Sequence, residues 1–230
     1  MVDIAGNYQR ILSGINEAAA KAGRDARHVK LLAAAKSQSI EAIQSAIAAG
    51  VTLIGENYVQ EAQPKKAQTA SGVEWHMIGH LQRNKARAAV ELFDVIETLD
   101  SVTLARELDK EGARRGKTVR TLVEINLAGE ESKSGIARNQ VKNLLDEVGK
   151  LAHVAVEGLM TVPPFRENPE GVRHYFRELC ELREELTNLR VPNVTLKELS
   201  MGMTHDYAIA IEEGATIVRI GTGLFGPRSN

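Results

Sequence analysis

Lys30-Leu31-Leu32-Ala33-Ala34-Ala35, then Ile43, Ile47 and Ala48 at helical spacing, then Gly50 and Thr52-Leu53-Ile54-Gly55: this stretch is the unit from which the fold is read. The two apolar runs are too short for helices and long enough for buried strands. The segment between them has one apolar stripe and stops at a glycine, which tolerates the left-handed backbone that ends a helix. Strands joined through a helix run parallel, because a hairpin needs only a short turn.

The unit recurs along the chain. Further apolar runs at Trp75–Ile78, Val95–Thr98, Arg120–Ile125, Val154–Met160, Thr195–Leu199 and Thr216–Ile220 alternate with helical stripes. Those stripes are Ala86, Val90 and Phe93; Leu104 and Leu108; Val141, Leu144, Leu145 and Val148; and Phe176, Leu179, Leu182 and Leu186. Gly214 repeats the role of Gly50 before the last run. Such alternation predicts an α/β fold with a parallel sheet. Eight strands in 230 residues fit a closed (β/α)8 TIM barrel. No Gly-x-Gly-x-x-Gly follows the first strand, which disfavours an open dinucleotide-binding sheet. Ile4, Tyr8, Ile11, Leu12, Ile15 and Ala19 add an extra amphipathic N-terminal helix. No linker or low-complexity tract interrupts the pattern, so one domain over residues 1–230 is expected.

Composition narrows the setting. Hydrophobic residues at 43% and charged residues at 26% are ordinary for a soluble globular chain. A formal net charge of −1 gives no electrostatic basis for binding nucleic acid or an anionic membrane. Cys180 is the single cysteine, so no internal disulfide forms, as fits a reducing cytoplasm. Its helical surroundings predict a packed thiol. No apolar run is long enough to span a bilayer. Asp3, Arg10 and Glu17 break any resemblance to a signal peptide.

Side chains alternate across a strand, so parity sorts residues between the helices and the barrel axis. Val218 and Ile220 take the helix side, leaving Arg219 and Gly221 toward the axis or mouth. Leu199 and Met201 face the helices, so Glu198 and Ser200 face inward. Val123 and Ile125 face out, leaving Glu124 and Asn126 inside. The same rule turns Leu32, Ala34 and Lys36 inward, with His76 and Glu157 from the third and sixth strands. Buried charges are costly unless paired, so the glutamates read as an ion-paired core or as functional groups. Lys36 and Arg219 stand at C-terminal strand ends, where barrel proteins place their chemistry.

Two glycine-bearing stretches follow the last two strands. Ser200-Met201-Gly202-Met203 and Gly221-Thr222-Gly223 are expected as turns that cradle a phosphate through N–H groups and hydroxyls. A buried Lys36 would have a lowered amine pKa and attack a carbonyl. Amine and phosphate cradle together fit a sugar phosphate in an aldolase, or pyridoxal 5′-phosphate (PLP). Arg219, two residues before Gly221, lies within reach of the ring nitrogen of a PLP whose phosphate sits on that turn. A guanidinium does not surrender its proton, so the ring stays unprotonated and a weak electron sink. The aldolase reading leaves Arg219 without a role. Asn57, closing the second strand, is a candidate partner for the ring hydroxyl or the lysine, or a helix N-cap. His76, His80 and Lys133 are candidates for mouth or transfer positions. The six histidines lack the spacing of a zinc site, and no metal is expected.

Seven ordered segments resemble a known family. They are Ala35-Lys36, Gly55-Glu56-Asn57-Tyr58-Val59-Gln60-Glu61, Trp75 through Lys85, Ser132-Lys133-Ser134-Gly135-Ile136, Gly158-Leu159-Met160, Leu199-Ser200-Met201-Gly202-Met203, and Val218 through Gly226. Together they resemble the pyridoxal phosphate homeostasis proteins, which are related to the N-terminal barrel of alanine racemase. The resemblance covers nearly the whole chain. It implies a barrel carrying PLP as a Schiff base on Lys36, with the phosphate at the turns of Ser200 and Gly221-Thr222 and the ring nitrogen facing Arg219. It further implies an intracellular PLP carrier or buffer without robust turnover, with PLP-dependent apo-enzymes as partners. No intersubunit residue is required, and a monomer is expected. Two departures stand out. Gln38 occupies a position where many relatives have a second lysine, and the chain ends soon after Arg228 without the tail lysines of some relatives. The rival within the same chemistry is a PLP-dependent racemase or decarboxylase. Racemisation needs a second acid or base on the opposite substrate face, for which Tyr58 and Tyr207 are the internal candidates.

Overall fold

The computed structural model describes residues 2–130 and 133–227; Ser132 of the fourth segment and the tail from Arg228 lie outside the described residues. The strands are β1 (Lys30–Ala34), β2 (Leu53–Glu56), β3 (Glu74–Met77), β4 (Val95–Leu99), β5 (Val119–Glu124), β6 (Val154–Met160), β7 (Val194–Met203) and β8 (Ile217–Ile220). They pair in chain order, all parallel, and β8 returns to β1 to close the barrel. The helices are α1 (Ile4–Lys21), α2 (Ile40–Ala49), α3 (Val59–Lys66), α4 (Ala86–Leu92), α5 (Val102–Arg115), α6 (Val141–Val148), α7 (Arg173–Thr187), α8 (Tyr207–Glu212) and α9 (Thr222–Phe225). The expected (β/α)8 TIM barrel and its extra N-terminal helix are both present.

Local chemistry explains the boundaries. Asp3 caps α1 by accepting from the Gly6 N–H at 2.8 Å. Ser39 caps α2 through the Ala42 N–H, and Gly50 ends it in the left-handed region at φ 118. Ser101 and Gly116 bracket α5 in the same way. Strand limits match the sequence reading within a residue or two, with one exception. The end of the seventh strand was expected at Leu199, yet β7 continues to Met203. Its register against β8 shifts between Ser200 and Met203, and Gly202 sits at φ 90. A bulge absorbs the glycine, so the strand survives where a glycine normally signals a turn. Gly202 also makes room for α8, since a Cβ there would stand 2.5 Å from the Ala210 Cβ.

The core has two shells. Strand residues such as Ile54, Trp75, Val123, Ile125, Leu199, Met201, Val218 and Ile220 pack outward under the helices. Leu32, Leu53, Val95, Leu122, Met160 and Ile217 fill the barrel itself. An eight-stranded barrel is just wide enough for side chains to occupy its interior. The N-terminal floor of that interior is polar and paired. Arg120 makes two 2.8 Å bonds to Glu157 and one of 2.5 Å to Glu74, while Lys30 meets Glu198 at 2.6 Å. Glu157 and Glu198 thus belong to an ion-paired floor. Cys180 is half-buried against the core, and its Sγ accepts from Arg183 at 3.3 Å. Among the described residues no helix is long and apolar enough to cross a membrane, and no cluster of three metal-ligating side chains occurs.

Candidate cofactor site

Arg219 projects from β8 toward the barrel axis, out of phase with the outward-facing Val218 and Ile220. Its buried guanidinium donates to Ser200 Oγ at 2.7 Å and to the Thr161 carbonyl at 2.8 Å. Ser200 donates to Glu97 Oε2 at 2.5 Å, and Glu97 Oε1 accepts from His76 Nδ1 at 2.6 Å. Side chains from β8, β7, β4 and β3 therefore form one chain across the interior. Burial opposes the charge on Glu97, but His76, Arg219 and Ser200 outweigh it and hold the carboxyl below its usual range. Burial likewise opposes a charged His76, yet Glu74 and Glu97 push its pKa up to about 9, so it is a cation at neutral pH. The Glu74 contact is an ion contact at 3.6 Å, beyond hydrogen-bond range, and Nε2 has no hydrogen-bond partner among the described residues. Burial lowers the pKa of Arg219 while Glu97, Glu124 and Asp206 oppose it; a guanidinium stays protonated regardless.

Past Arg219 the chain turns through Gly221, Thr222 and Gly223. The Gly223 N–H donates to Thr204 Oγ1 at 3.1 Å, and the Thr222 and Thr204 hydroxyls meet at 3.4 Å. A Cβ on Gly223 would stand 2.9 Å from Thr204 Cγ2, so glycine lets the two loops touch. A Cβ on Gly221 would lie 3.6 Å from the Ala34 carbonyl oxygen, at the end of β1. The loop after β7, the turn after β8 and the end of β1 therefore converge. Two hydroxyls and close-approaching backbone suit an anion. The stretch expected as the second turn is arranged differently. Ser200 is fully buried inside β7 beneath Arg219, Met201 packs outward, and Gly202 and Met203 lie on the bulge. The Met203 N–H donates to Asp206 Oδ1 at 2.6 Å.

Lys36 lies just beyond β1, half-buried, in a turn that α3 holds in place. Buried Lys65 donates to the Ala35 carbonyl at 3.0 Å and to Glu56 Oε1 at 2.6 Å. Glu61 Oε2 accepts from the Ser37 N–H at 3.1 Å. The Ala35 N–H donates to the Gly55 carbonyl at 2.8 Å. Ser37 sits at φ 61, a left-handed conformation that a non-glycine residue adopts only when its surroundings enforce it.

The remaining expected residues separate. Asn57 follows β2 and is not the N-cap of α3, because that place falls to Tyr58, which makes no side-chain cap bond. Asn57, Tyr58, Gln60, His80, Gln82 and Lys85 line a cavity of about 330 Å³ between the loops after β2 and β3. His80 is half-exposed there, with Asp100 Oδ2 at 3.3 Å from its Nδ1. His76 is not at the mouth; it is buried in the interior chain, because parity on β3 turns it to the axis below the rim. Lys133 sits on the loop after β5, paired with Glu130 at 3.0 Å. Tyr58 is 60% exposed. Tyr207 packs against α1, where a Cβ on Gly14 would stand 2.1 Å from its hydroxyl.

Residues 7–229 match the family described as alanine racemase, N-terminal domain. The chain is 46% identical over 220 residues to the pyridoxal phosphate homeostasis protein of Aquifex aeolicus, covering 95% of this chain and 96% of that protein. This chain belongs to the pyridoxal phosphate homeostasis protein family. Among solved structures, PipY of Synechococcus elongatus with PLP bound is similar at 35% identity and a TM-score of 0.82, covering 92% of this chain and 100% of that one. An alanine racemase from Clostridium difficile, 14% identical with a TM-score of 0.76 over 98% of this chain and 58% of that one, shares the fold.

For this family member, three residues of the site escaped sequence reading. Glu97 follows the parity rule that found Glu124, since it alternates with the outward-facing Ile96. Thr204 directly follows Met203 but lies past the bulge, where parity no longer predicts direction. Lys65 stands four residues after Glu61 on α3, a spacing that ordinarily marks a solvated surface pair.

Proposed function

We propose that this chain holds PLP on Lys36 and acts as a PLP carrier or buffer in vitamin B6 homeostasis, without turning over an amino acid. The observation that carries the reading is Arg219, a buried guanidinium held by Ser200 and Thr161 beside the Gly221–Gly223 turn. The groups present fit PLP. Lys36 would hold its aldehyde carbon, Arg219 would face its ring nitrogen, and the turn of Gly221, Thr222 and Gly223 with Thr204 would take its phosphate. Asn57 is assigned to the ring hydroxyl. Ser200 keeps Arg219 in place from below, and Gly202 and Met203 shape the rim. When bound, PLP supplies an aldehyde that condenses with amines and a ring that withdraws electrons from the attached carbon.

The chain's own groups limit that second property. Arg219 keeps its proton, and the anionic Glu97 reaches it only through the Ser200 hydroxyl, so no acid stands ready for the ring nitrogen. Lys65 and Glu61 fix the Lys36 turn, which places the amine rather than moving a proton. Racemisation would need a further acid or base. Tyr207 is engaged on α1, and Tyr58 is solvated, which favours the carrier over the racemase. The cofactor assignments above call for no residue from a second subunit, and the proposal takes the chain as a single-domain monomer. The cytoplasm, with PLP-dependent apo-enzymes as recipients, completes the proposal.

Protein incubated with PLP is expected to turn yellow, and borohydride to fix the cofactor mass on Lys36 but not on Lys36→Ala. A colourless protein that takes up no PLP would sink the reading. Turnover of alanine above the rate of free PLP, abolished by Lys36→Ala, would replace the carrier with the racemase. Arg219→Glu is expected to retain the cofactor and make its absorbance depend on pH through ring protonation.

A further inference from the structure

Glu124 closes β5 with its side chain inward and takes no part in the chain from His76 to Arg219. It is 7% exposed, and its Oε2 has no hydrogen-bond partner among the described residues. Burial and then the nearby Asp100 push its pKa up to about 7; Glu97 adds to this and Arg219 opposes it. A buried carboxyl oxygen that meets no donor is costly and calls for an explanation. Glu124 lines a cavity of about 200 Å³ with Ile125, Asn126, Lys133, Ser134 and Val162. The ammonium of Lys133 is bound to Glu130, not to Glu124.

The wall over Glu124 is built by backbone bonds. The Ile136 N–H donates to the Glu124 carbonyl at 2.8 Å, and the Asn126 N–H donates to the Ile136 carbonyl at 3.0 Å. The Asn126 amide donates to the Glu130 carbonyl at 2.8 Å. Gly135, at φ 106, lets the loop return so closely that a Cβ would stand 2.8 Å from the Asn126 nitrogen. Lys133 and Ser134 are thereby held beside Glu124 at the barrel mouth.

We propose that this cavity binds a small α-amino acid, its ammonium on Glu124 and its carboxylate on Lys133. An ammonium supplies an N–H donor where Oε2 meets none among the described residues, and it stabilises the ionised carboxylate. A simple anion would be opposed by Glu124. A metal cation would be opposed by Lys133, and no cluster of three metal-ligating side chains occurs among the described residues. A zwitterion satisfies both walls. The volume lies below the roughly 300–1,000 Å³ of sites for drug-sized ligands, so the occupant is small. Ile125 and Val162 suit a short aliphatic side chain, and Ser134 adds a hydroxyl donor. The inference rests on this cavity alone, so it and the cofactor reading fail separately.

Titration of the full chain with glycine and with L-alanine, followed by calorimetry and by the carbon resonances of labelled glycine, is expected to show one saturable site. Methylamine and acetate, each half of the zwitterion, are expected to bind at least about tenfold more weakly, the weight of one charged hydrogen bond. Glu124→Gln and Lys133→Ala should each weaken glycine binding by at least about tenfold, with unfolding curves establishing that both variants are folded. Absence of a saturable site in the wild-type chain overturns the proposal. So does glycine binding that survives in either variant, or half-ligands that bind as tightly as glycine. Yellow colour after PLP loading, read on the same preparation, reports on the cofactor separately.

Discussion

The floor and the mouth of the barrel are lined by the same residue types and treat them differently. At the floor, Arg120 spans Glu157 and Glu74, and Lys30 meets Glu198, so both cations lie on carboxylates. Toward the mouth, the Arg219 guanidinium donates to a hydroxyl and a carbonyl, and one oxygen of Glu124 meets no donor among the described residues. The floor pairs are half-exposed, whereas Arg219 and Glu124 are buried and Glu124 is incompletely satisfied among the described residues. Perturbed, partly satisfied charges concentrate where a ligand completes them, which supports the proposal that the cofactor is held at the C-terminal end of the strands.

The largest expected effect comes from Lys65 beneath the Lys36 turn, which is paired as fully as the floor but buried. Lys65→Met leaves Glu56 buried without its cation and should cost about 3–5 kcal/mol in urea unfolding. A loss below about 1 kcal/mol would mean that burial does not separate the two ends.

Glu124 tests the unsatisfied side. Its pKa is raised from an ordinary 4.5 to about 7, so the folded state holds the proton more tightly than the unfolded chain. The stability this lends is present below pH 4.5 and lost as pH rises through 7, by about 3 kcal/mol. Glu124→Gln removes that slope. The difference between variant and wild type should shift by about 3 kcal/mol in the variant's favour between the two ends of that window. Parallel stability curves across that range would show Glu124 to be satisfied after all.

Glu97→Gln should cost about 1–3 kcal/mol, because His76 loses an anionic partner in the interior. The pKa of His76 should fall from about 9 toward its ordinary 6.5, which its ring resonances would report. The stabilisation tied to that raised pKa is present below pH 6.5 and lost as pH rises through 9, so the alkaline loss should shrink in the variant. The smallest effect belongs to the floor. Arg120 is 43% exposed, and Arg120→Gln should cost about 1 kcal/mol, with little change on PLP loading.

Much of this contrast was legible in the residues. A period of two on β5, β7 and β8 turned Glu124, Ser200 and Arg219 inward, and all three are there. The same rule applied to β3 turned His76 to the axis, but it carries no depth, so His76 could be taken for a mouth residue. Parity also says nothing of partners. Ser200 could be read as a phosphate ligand because nothing in one strand reveals that Glu97, more than a hundred residues away, bonds its hydroxyl.

The sequence by itself determined the alternating elements, the barrel, the inward set and the family, because periodicity, caps and ordered motifs are local properties of the chain. The tertiary structure decided which inward charges are paired. It carried β7 through its glycine to Met203, brought Thr204 to Gly223, and drew Lys65 from α3 under the Lys36 turn. Closing the barrel brings residues far apart in sequence within bonding distance, and the desolvation of a charge depends on what surrounds it in space.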